Sequence, residues 1–180
     1  MFLVQIKTVI TTSVIVVLGV GFALAITVRF SDPTSSYELA ARERGGAYLG
    51  KKGVIMQDKS NTCGPAALKM ILDVHGKGVP LRELEKGGNA SDSGWSMQSL
   101  KELAEQYGLR AEGWRLNLEV LGRSQFPVIL FVENRHFVVV DSMDTAGFIF
   151  VRDPAIGWMK IHRRAPSKIW LGETLVFEEN

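Results

Sequence analysis

The sequence has too few cysteines and histidines for several classes of protein. One cysteine, Cys63, among 180 residues excludes an intramolecular disulfide and a zinc site built from several thiolates. With only three histidines in addition, no metal or organic cofactor is implied. The simplest role for a lone cysteine is that of a small buried apolar side chain, so any other role must be argued from its surroundings.

The sequence also lacks a large excess of charge of one sign and a nucleotide-binding motif. Lys and Arg number 21 against 19 Asp and Glu, which gives a net charge of +2. Nucleic-acid binding needs clustered positive charge, so no nucleic-acid partner is expected. The pattern G-x-x-x-x-G-K-[ST] does not occur, so the chain is not expected to bind ATP.

A long apolar run is present at the N-terminus. Residues 8–28 contain no ionisable side chain and are bracketed by Lys7 and Arg29. A helix of this length spans roughly 30 Å, the hydrocarbon thickness of a bilayer. Residues 1–30 are therefore expected to form a transmembrane anchor, although Ala23-Leu24-Ala25 leaves cleavage as a signal peptide open. The short N-terminal flank carrying Lys7 favours a single pass through a bacterial inner membrane, with the domain exported to the periplasm.

The rest of the chain divides by composition into a linker and a domain. Residues 31–53 are expected to be a linker, because Pro33 with its Ser and Thr neighbours blocks a helix and Gly45, Gly46 and Gly50 interrupt the remainder. Residues 54–180 are expected to form the globular domain. No internal repeat is visible.

Helical patterns in this domain come first and strand patterns follow. Cap-type residues before 66–72 and Gly76 after them bound the clearest helix, and further helices are predicted over 81–86 and 96–107. Short apolar, β-branched runs predict strands over 128–132, 137–140, 148–151, 158–161 and 174–177. Helices followed by an antiparallel meander indicate an α+β fold.

Cys63 lies in the first turn of the clearest helix. Unpaired N–H groups and partial positive charge at a helix N-terminus stabilise a thiolate and can receive an oxyanion. Gly64 next to it is expected to leave room for a substrate backbone. A structural cysteine would more naturally lie in mid-helix on the apolar face, so Cys63 is the candidate nucleophile.

A thiol nucleophile needs a base and a group that orients the base. His136 opens an apolar strand and is the candidate base, whereas His75 at a helix end and His162 in a basic polar segment have simpler structural roles. Candidates for the acid are Asp153, Asp141 and Asp144. Asp141 lies roughly 16 Å along the strand that His136 opens, and Asp144 is typical of a hairpin turn. Gln57 is a candidate for a second oxyanion donor.

Four segments together resemble the C39 peptidases, papain-like domains that cleave leader peptides after a double glycine. They are QDKSNTCGPAALKMILDVHG at 57–76, HFVVVD at 136–141, DPAIG at 153–157 and IWLG at 169–172. The resemblance implies a papain-like α+β fold. It also implies that Cys63 is the nucleophile, His136 the base, Asp153 the orienting acid and Gln57 the oxyanion donor. Thr62 departs from the family's usual Asp before the cysteine.

The function expected from the resemblance is cleavage of a peptide bond in an exported polypeptide or leader, held near the membrane by the N-terminal helix. The alternative is a catalytically silent C39-like module that binds a peptide during secretion. Acyl transfer to another acceptor would use the same nucleophile and is a third reading. The substrate, not the triad, would separate this last reading from a peptidase.

Overall fold

The computed structural model describes residues 33–88, 94–165 and 169–179. The chain divides into two compact units, residues 1–36 and residues 37–180. The predicted anchor over residues 1–30 lies outside the described residues and stays a prediction. In the part of the chain that is described, no helix is long and apolar enough to span a bilayer.

The described chain contains both helices and strands, with the longer helices before the long run of strands. The helices are α1 (Pro33–Glu43), α2 (Cys63–Val74), α3 (Leu81–Gly87), α4 (Met97–Gln106) and α5 (Leu118–Leu121). The strands are β1 (Gly46–Gly50), β2 (Leu109–Arg115), β3 (Val128–Val132), β4 (His136–Met143), β5 (Phe148–Asp153), β6 (Gly157–His162) and β7 (Glu173–Glu179). The expected α+β class is confirmed.

The strands form one antiparallel sheet in the order β1-β6-β5-β4-β3-β7-β2. The meander β3-β4-β5-β6 is the run that the sequence predicts. β7 then returns to pair with β3, and β2 extends that edge of the sheet. The sequence pattern gave no prediction for β2, since Leu109 and Ala111 are buried but its last residues are charged or exposed.

Residues 31–53 are not simply a linker, which corrects the sequence-based expectation. α1 and β1 lie in this segment, and β1 pairs with β6 from Gly46 opposite Ile161 to Gly50 opposite Trp158. A Cβ on Gly46 would lie 2.3 Å from Ile161 Cγ2. The glycine that suggested a break is therefore needed for close packing inside a strand.

Apolar side chains are buried on both faces of the sheet. On one face Phe137 and Val139 of β4 pack with residues of α2, α3 and α4. On the other face Val138 and Val140 pack in a cluster that includes Ala41 of α1. Because both faces are covered, β4 is an unbroken apolar run instead of an alternating one.

α2 is the helix that carries Cys63. Leu68, Ile71 and Leu72 on this helix are fully buried, and each such side chain contributes about 1.5–3 kcal/mol. The helix ends as the sequence predicts, with Gly76 at φ +68° and the Lys77 N–H donating to the Leu72 carbonyl at 2.8 Å. This packing fixes the start of α2 against the sheet.

Candidate active site

Three of the residues that the sequence singled out lie together where α2 meets the sheet. Cys63 is the first residue of α2, His136 is the first of β4 and Asp153 is the last of β5. Cys63 is 5% exposed, His136 9% and Asp153 0%. Each side chain is thus held at the end of a regular element that is itself anchored in the core.

His136 and Asp153 form a direct hydrogen bond. His136 Nε2 lies 2.8 Å from Asp153 Oδ1, and the same oxygen accepts from the Ala155 N–H at 2.8 Å. The strand register explains the contact, because Val139 of β4 pairs with Arg152 and the next residue of β5 lies one step nearer His136. With Nε2 engaged by Asp153, Nδ1 is the ring nitrogen left for the thiol.

The surroundings of Cys63 favour its thiolate. Burial opposes ionisation, but the hydrogen bond and charge of His136 outweigh it, helped by backbone hydrogen bonds from Phe137 and Gly64. The net effect lowers the pKa of the Cys63 thiol below its usual value. A lowered thiol pKa increases the fraction of thiolate, which is the nucleophilic form.

The pKa shifts of His136 and Asp153 complement that of the thiol. For His136, burial favours the neutral ring, yet the hydrogen bonds and charges of Asp153 and Cys63 raise its pKa to about 9. For Asp153, burial is outweighed by His136 and by the charge of Arg44, so its pKa lies below the usual value. The shifts of all three groups therefore favour a thiolate, an imidazolium and a carboxylate in sequence.

The competing acids are engaged elsewhere. Asp141 accepts a 2.8 Å hydrogen bond from Arg152 Nε and forms an ion pair with the same guanidinium. Asp144 accepts from the Phe148 N–H in the β4–β5 turn, at the opposite end of β4 from His136. Its predicted role as a turn residue is confirmed.

The other two histidines lie away from Cys63. His75 is the C-cap of α2, at the opposite end of the helix from the thiol. His162 ends β6 and its ring packs edge-on against Phe148 at 5.5 Å. Among the described residues, no group of three or more His, Cys, Asp or Glu side chains is arranged to hold a metal ion.

Gln57 lies beside the turn that follows Asp153. Its N–H donates to the Pro154 carbonyl at 2.9 Å, and its side-chain Nε2 donates to the Lys59 carbonyl at 3.0 Å. An amide nitrogen has two hydrogens, so one remains for another acceptor. The role of Gln57 as an oxyanion donor stays a prediction.

Two local expectations about the start of α2 are changed by the structure. Thr62 is the N-cap but makes no side-chain cap bond; its hydroxyl instead donates to Asp58 at 2.9 Å and accepts from the Lys59 N–H at 3.2 Å. Gly64 does not face open space for a substrate. A Cβ there would lie 3.0 Å from Trp95 Cβ, so Gly64 accommodates the buried Trp95.

Sequence reasoning missed one charged residue at the site. Arg44, in the turn between α1 and β1, places Nη1 3.2 Å from Asp153 Oδ2. It lies in the segment expected to be a linker, and nothing in the local sequence links it to a residue more than a hundred positions away. Only the pairing of β1 with β6 reveals the contact.

Comparison with known proteins gives a consistent result. A sequence model of the Peptidase C39 family matches residues 51–180. An uncharacterized protein of Methanothermobacter thermautotrophicus is 33% identical over 130 residues, which cover 72% of this chain and 91% of that protein. The probable microcin-H47 secretion/processing ATP-binding protein MchF of Escherichia coli is 33% identical over 122 residues, 68% of this chain but 17% of that protein.

A solved structure supports the same assignment. The crystal structure of a double glycine motif protease from an AMS/PCAT transporter, in complex with the leader peptide, matches with a TM-score of 0.67 and 32% identity. The match covers 71% of this chain and 91% of that one. Since the family match spans residues 51–180 and relatives align over most of the same region, the chain belongs to the peptidase C39 family.

Proposed function

We propose that the chain is a cysteine peptidase that cleaves a peptide bond in an exported polypeptide or its leader. Cys63 is the nucleophile, His136 the general base and acid, Asp153 the group that orients the imidazole, and Gln57 the second oxyanion donor. The observation that carries the proposal is that the His136 ring, hydrogen-bonded to Asp153 at 2.8 Å, also acts on the Cys63 thiol and lowers its pKa. A buried structural cysteine has no need of such partners.

The proposed reaction follows from the charge state of the site. The Cys63 thiolate attacks the scissile carbonyl carbon, and the carbonyl electron pair moves onto oxygen to form an oxyanion. Backbone N–H groups at the start of α2, with Gln57, stabilise that charge. The His136 imidazolium gives its proton to the leaving amine, which leaves a thioester. A water molecule, deprotonated by the neutral imidazole, then attacks the thioester carbonyl; the C–S bond breaks, the carboxylic acid product leaves, and the thiolate and imidazolium are regenerated.

The substrate class is inferred from relatives. MchF is named as a secretion and processing protein, and the AMS/PCAT protease was crystallised with a leader peptide. The match to that protease at 32% identity covers nearly all of its chain. These similarities support a leader ending in a double glycine as the first substrate to test for this chain.

The decisive experiment is mass spectrometry of the purified protein incubated with candidate precursor peptides, including leaders with and without a double glycine. Cleavage is expected with wild type and is expected to vanish in Cys63→Ala. His136→Ala is expected to lower the rate by roughly 10²–10⁴, the usual contribution of a general acid–base group. The matched control, His162→Ala, removes a histidine at the far end of the β5–β6 hairpin and should leave the rate unchanged.

Thiol reactivity tests the site without a known substrate. Cys63 is expected to react with iodoacetamide at pH 7 faster than an unperturbed thiol, because its pKa is lowered. His136→Ala should slow this reaction severalfold, and His162→Ala should not. Peptide binding without cleavage would favour the silent module. A Cys63 in folded protein that is no more reactive than a free cysteine would leave the nucleophile role without support.

A further inference from the structure

The Asp153 carboxylate uses its two oxygens differently. Oδ1 accepts hydrogen bonds from His136 and from the Ala155 N–H. Oδ2 is buried and makes no hydrogen bond among the described residues. The group that faces it is the Arg44 guanidinium, with Nη1 3.2 Å away. This distance is short enough for an ion pair, but the contact does not have the geometry of a hydrogen bond. A fully buried carboxylate with one unbonded oxygen needs such a countercharge.

Arg44 is held in place by its own segment. The turn that contains it is closed by backbone hydrogen bonds from Arg44 to Ala40 and from Gly45 to Arg42. On one side α1 buries Ala41 completely in the core, and on the other β1 pairs with β6. The side chain itself is 30% exposed, so its charge is partly screened, but its backbone is fixed on both sides.

We propose that Arg44 is a positioning residue for the catalytic site, acting through Asp153 and supplied by a segment that precedes the family match at residue 51. The inference rests on the proposed peptidase function. It extends the series of alternating charges to a fourth member, from thiolate through imidazolium and carboxylate to guanidinium. The α1–β1 segment is then part of the working site, and not only a connection to the N-terminus.

Loss of the Arg44 charge should change the pH dependence of the site in a definite direction, whereas loss of a purely structural contact should not. Within the described chain, the charged groups facing the Asp153 carboxylate are His136 from β4 and Arg44 from the α1–β1 turn. Without Arg44 the buried carboxylate takes up a proton more readily, and the thiolate loses a distant favourable charge. Both changes make the ion-paired form harder to keep at low pH.

The test compares the pH dependence of Cys63 alkylation and of cleavage in full-length wild type, Arg44→Met and Arg44→Lys. In Arg44→Met the acidic limb of both profiles is expected to move to higher pH by about half to one unit, given a partly screened charge. Well below the midpoint of that limb the rate should fall roughly three- to tenfold, since there one pH unit is tenfold in ionised fraction. Arg44→Lys keeps the charge, so its acidic limb is expected to lie close to the wild-type position.

Controls separate this proposal from folding defects and from the proposed function. Arg42→Met removes an exposed arginine two residues away and should leave the profile unchanged, while circular dichroism checks that each variant is folded. If His136→Ala shifts the profile but a folded Arg44→Met does not, Arg44 has no positioning role and the peptidase proposal stands. If neither variant shifts it, the thiolate–imidazolium pair itself is absent. A limb that moves equally in Arg44→Lys and Arg44→Met would show that charge is not responsible.

Discussion

Burial and ionisation oppose each other at Cys63, and the outcome depends on a few named neighbours. The side chain is 5% exposed, which by itself would keep the thiol protonated. The imidazole of His136 and backbone hydrogen bonds from Gly64 and Phe137 reverse that preference. Because the charge of His136 is one of the groups that lower the thiol pKa, the ionisation of the sulfur at neutral pH is linked to the charge of the ring.

This linkage predicts different alkaline behaviour for cleavage and for alkylation. The pKa of His136 is raised to about 9, so the imidazolium is present below that pH and is lost as pH rises through it. Cleavage needs the imidazolium to protonate the leaving amine and should decline above about pH 9. Alkylation needs only the thiolate and should not decline there. The two profiles are measured on the same preparation, with a peptide substrate and with iodoacetamide.

The variant Asp153→Asn provides the control for that prediction. Removal of the carboxylate takes away the largest interaction that raises the pKa of His136, so the alkaline limb of cleavage should move to lower pH. An alkaline limb that stays in place in Asp153→Asn would assign it to another group. A parallel decline of alkylation and cleavage near pH 9 would point to unfolding instead of loss of the imidazolium.

At the scale of elements, the edge strand β1 connects the N-terminal segment to the site. Gly46 begins β1 opposite Ile161, where a Cβ would lie 2.3 Å from Ile161 Cγ2 and 2.9 Å from the Lys160 carbonyl. Backbone on one side and a buried side chain on the other leave little freedom to relax. Because Arg44 lies two residues before Gly46, the position of β1 also sets the position of the guanidinium.

Gly46→Ala is therefore expected to be destabilising. Overpacking a fitted contact costs about 1–3 kcal/mol, and the loss is expected in the free energy of unfolding measured by denaturant titration. The matched control is Gly113→Ala, a strand glycine in β2 whose Cβ would meet nothing within 4 Å. Equal stability of the two variants would mean that β1 is not held against β6 as described.

At the scale of the whole molecule, the sheet is covered on both faces and each layer contributes to the site. α2 brings the thiol from one face, and the segment with α1 brings Arg44 to the buried oxygen of Asp153 from the other. The family match begins at residue 51 and so includes the first layer but not α1 and β1. The second compact unit, which contains the site, in contrast begins at residue 37.

Two truncations are expected to behave differently. A chain that starts at residue 33 keeps α1, β1 and the whole compact unit, so its melting temperature and its Cys63 alkylation rate should match those of the full chain. A chain that starts at residue 51 loses α1, β1 and Arg44, and should melt several degrees lower, since about 1 kcal/mol shifts the melting temperature of a domain this size by roughly 2–8 °C.

The same truncations test the proposed anchor. The full chain is expected to sediment with membranes, because residues 8–28 are long and apolar enough to span one, and the chain that starts at residue 33 is expected to remain in the supernatant. Sedimentation of both chains would place any membrane attachment outside residues 1–32. A stable chain from residue 51 with an unchanged acidic limb would contradict the role given to the α1–β1 segment.

The sequence by itself determined the features that depend on neighbouring residues. The helix that starts at Cys63 and ends at Gly76, the apolar run of β4 and the turn at Asp144 follow from local capping, periodicity and turn chemistry. Those patterns, with the resemblance in four segments, were enough to select Cys63, His136 and Asp153. Local patterns carry this information because it concerns contacts within a few residues along the chain.

Only the tertiary structure decided which distant groups meet. The glycines of 45–50 look like interruptions until β1 is seen packed against β6, and Gly64 looks like open space until Trp95 is seen to fill it. The contact between Arg44 and Asp153 joins residues that no local pattern relates. Such contacts are set by sheet order and by packing on both faces of the sheet, which are properties of the folded chain as a whole.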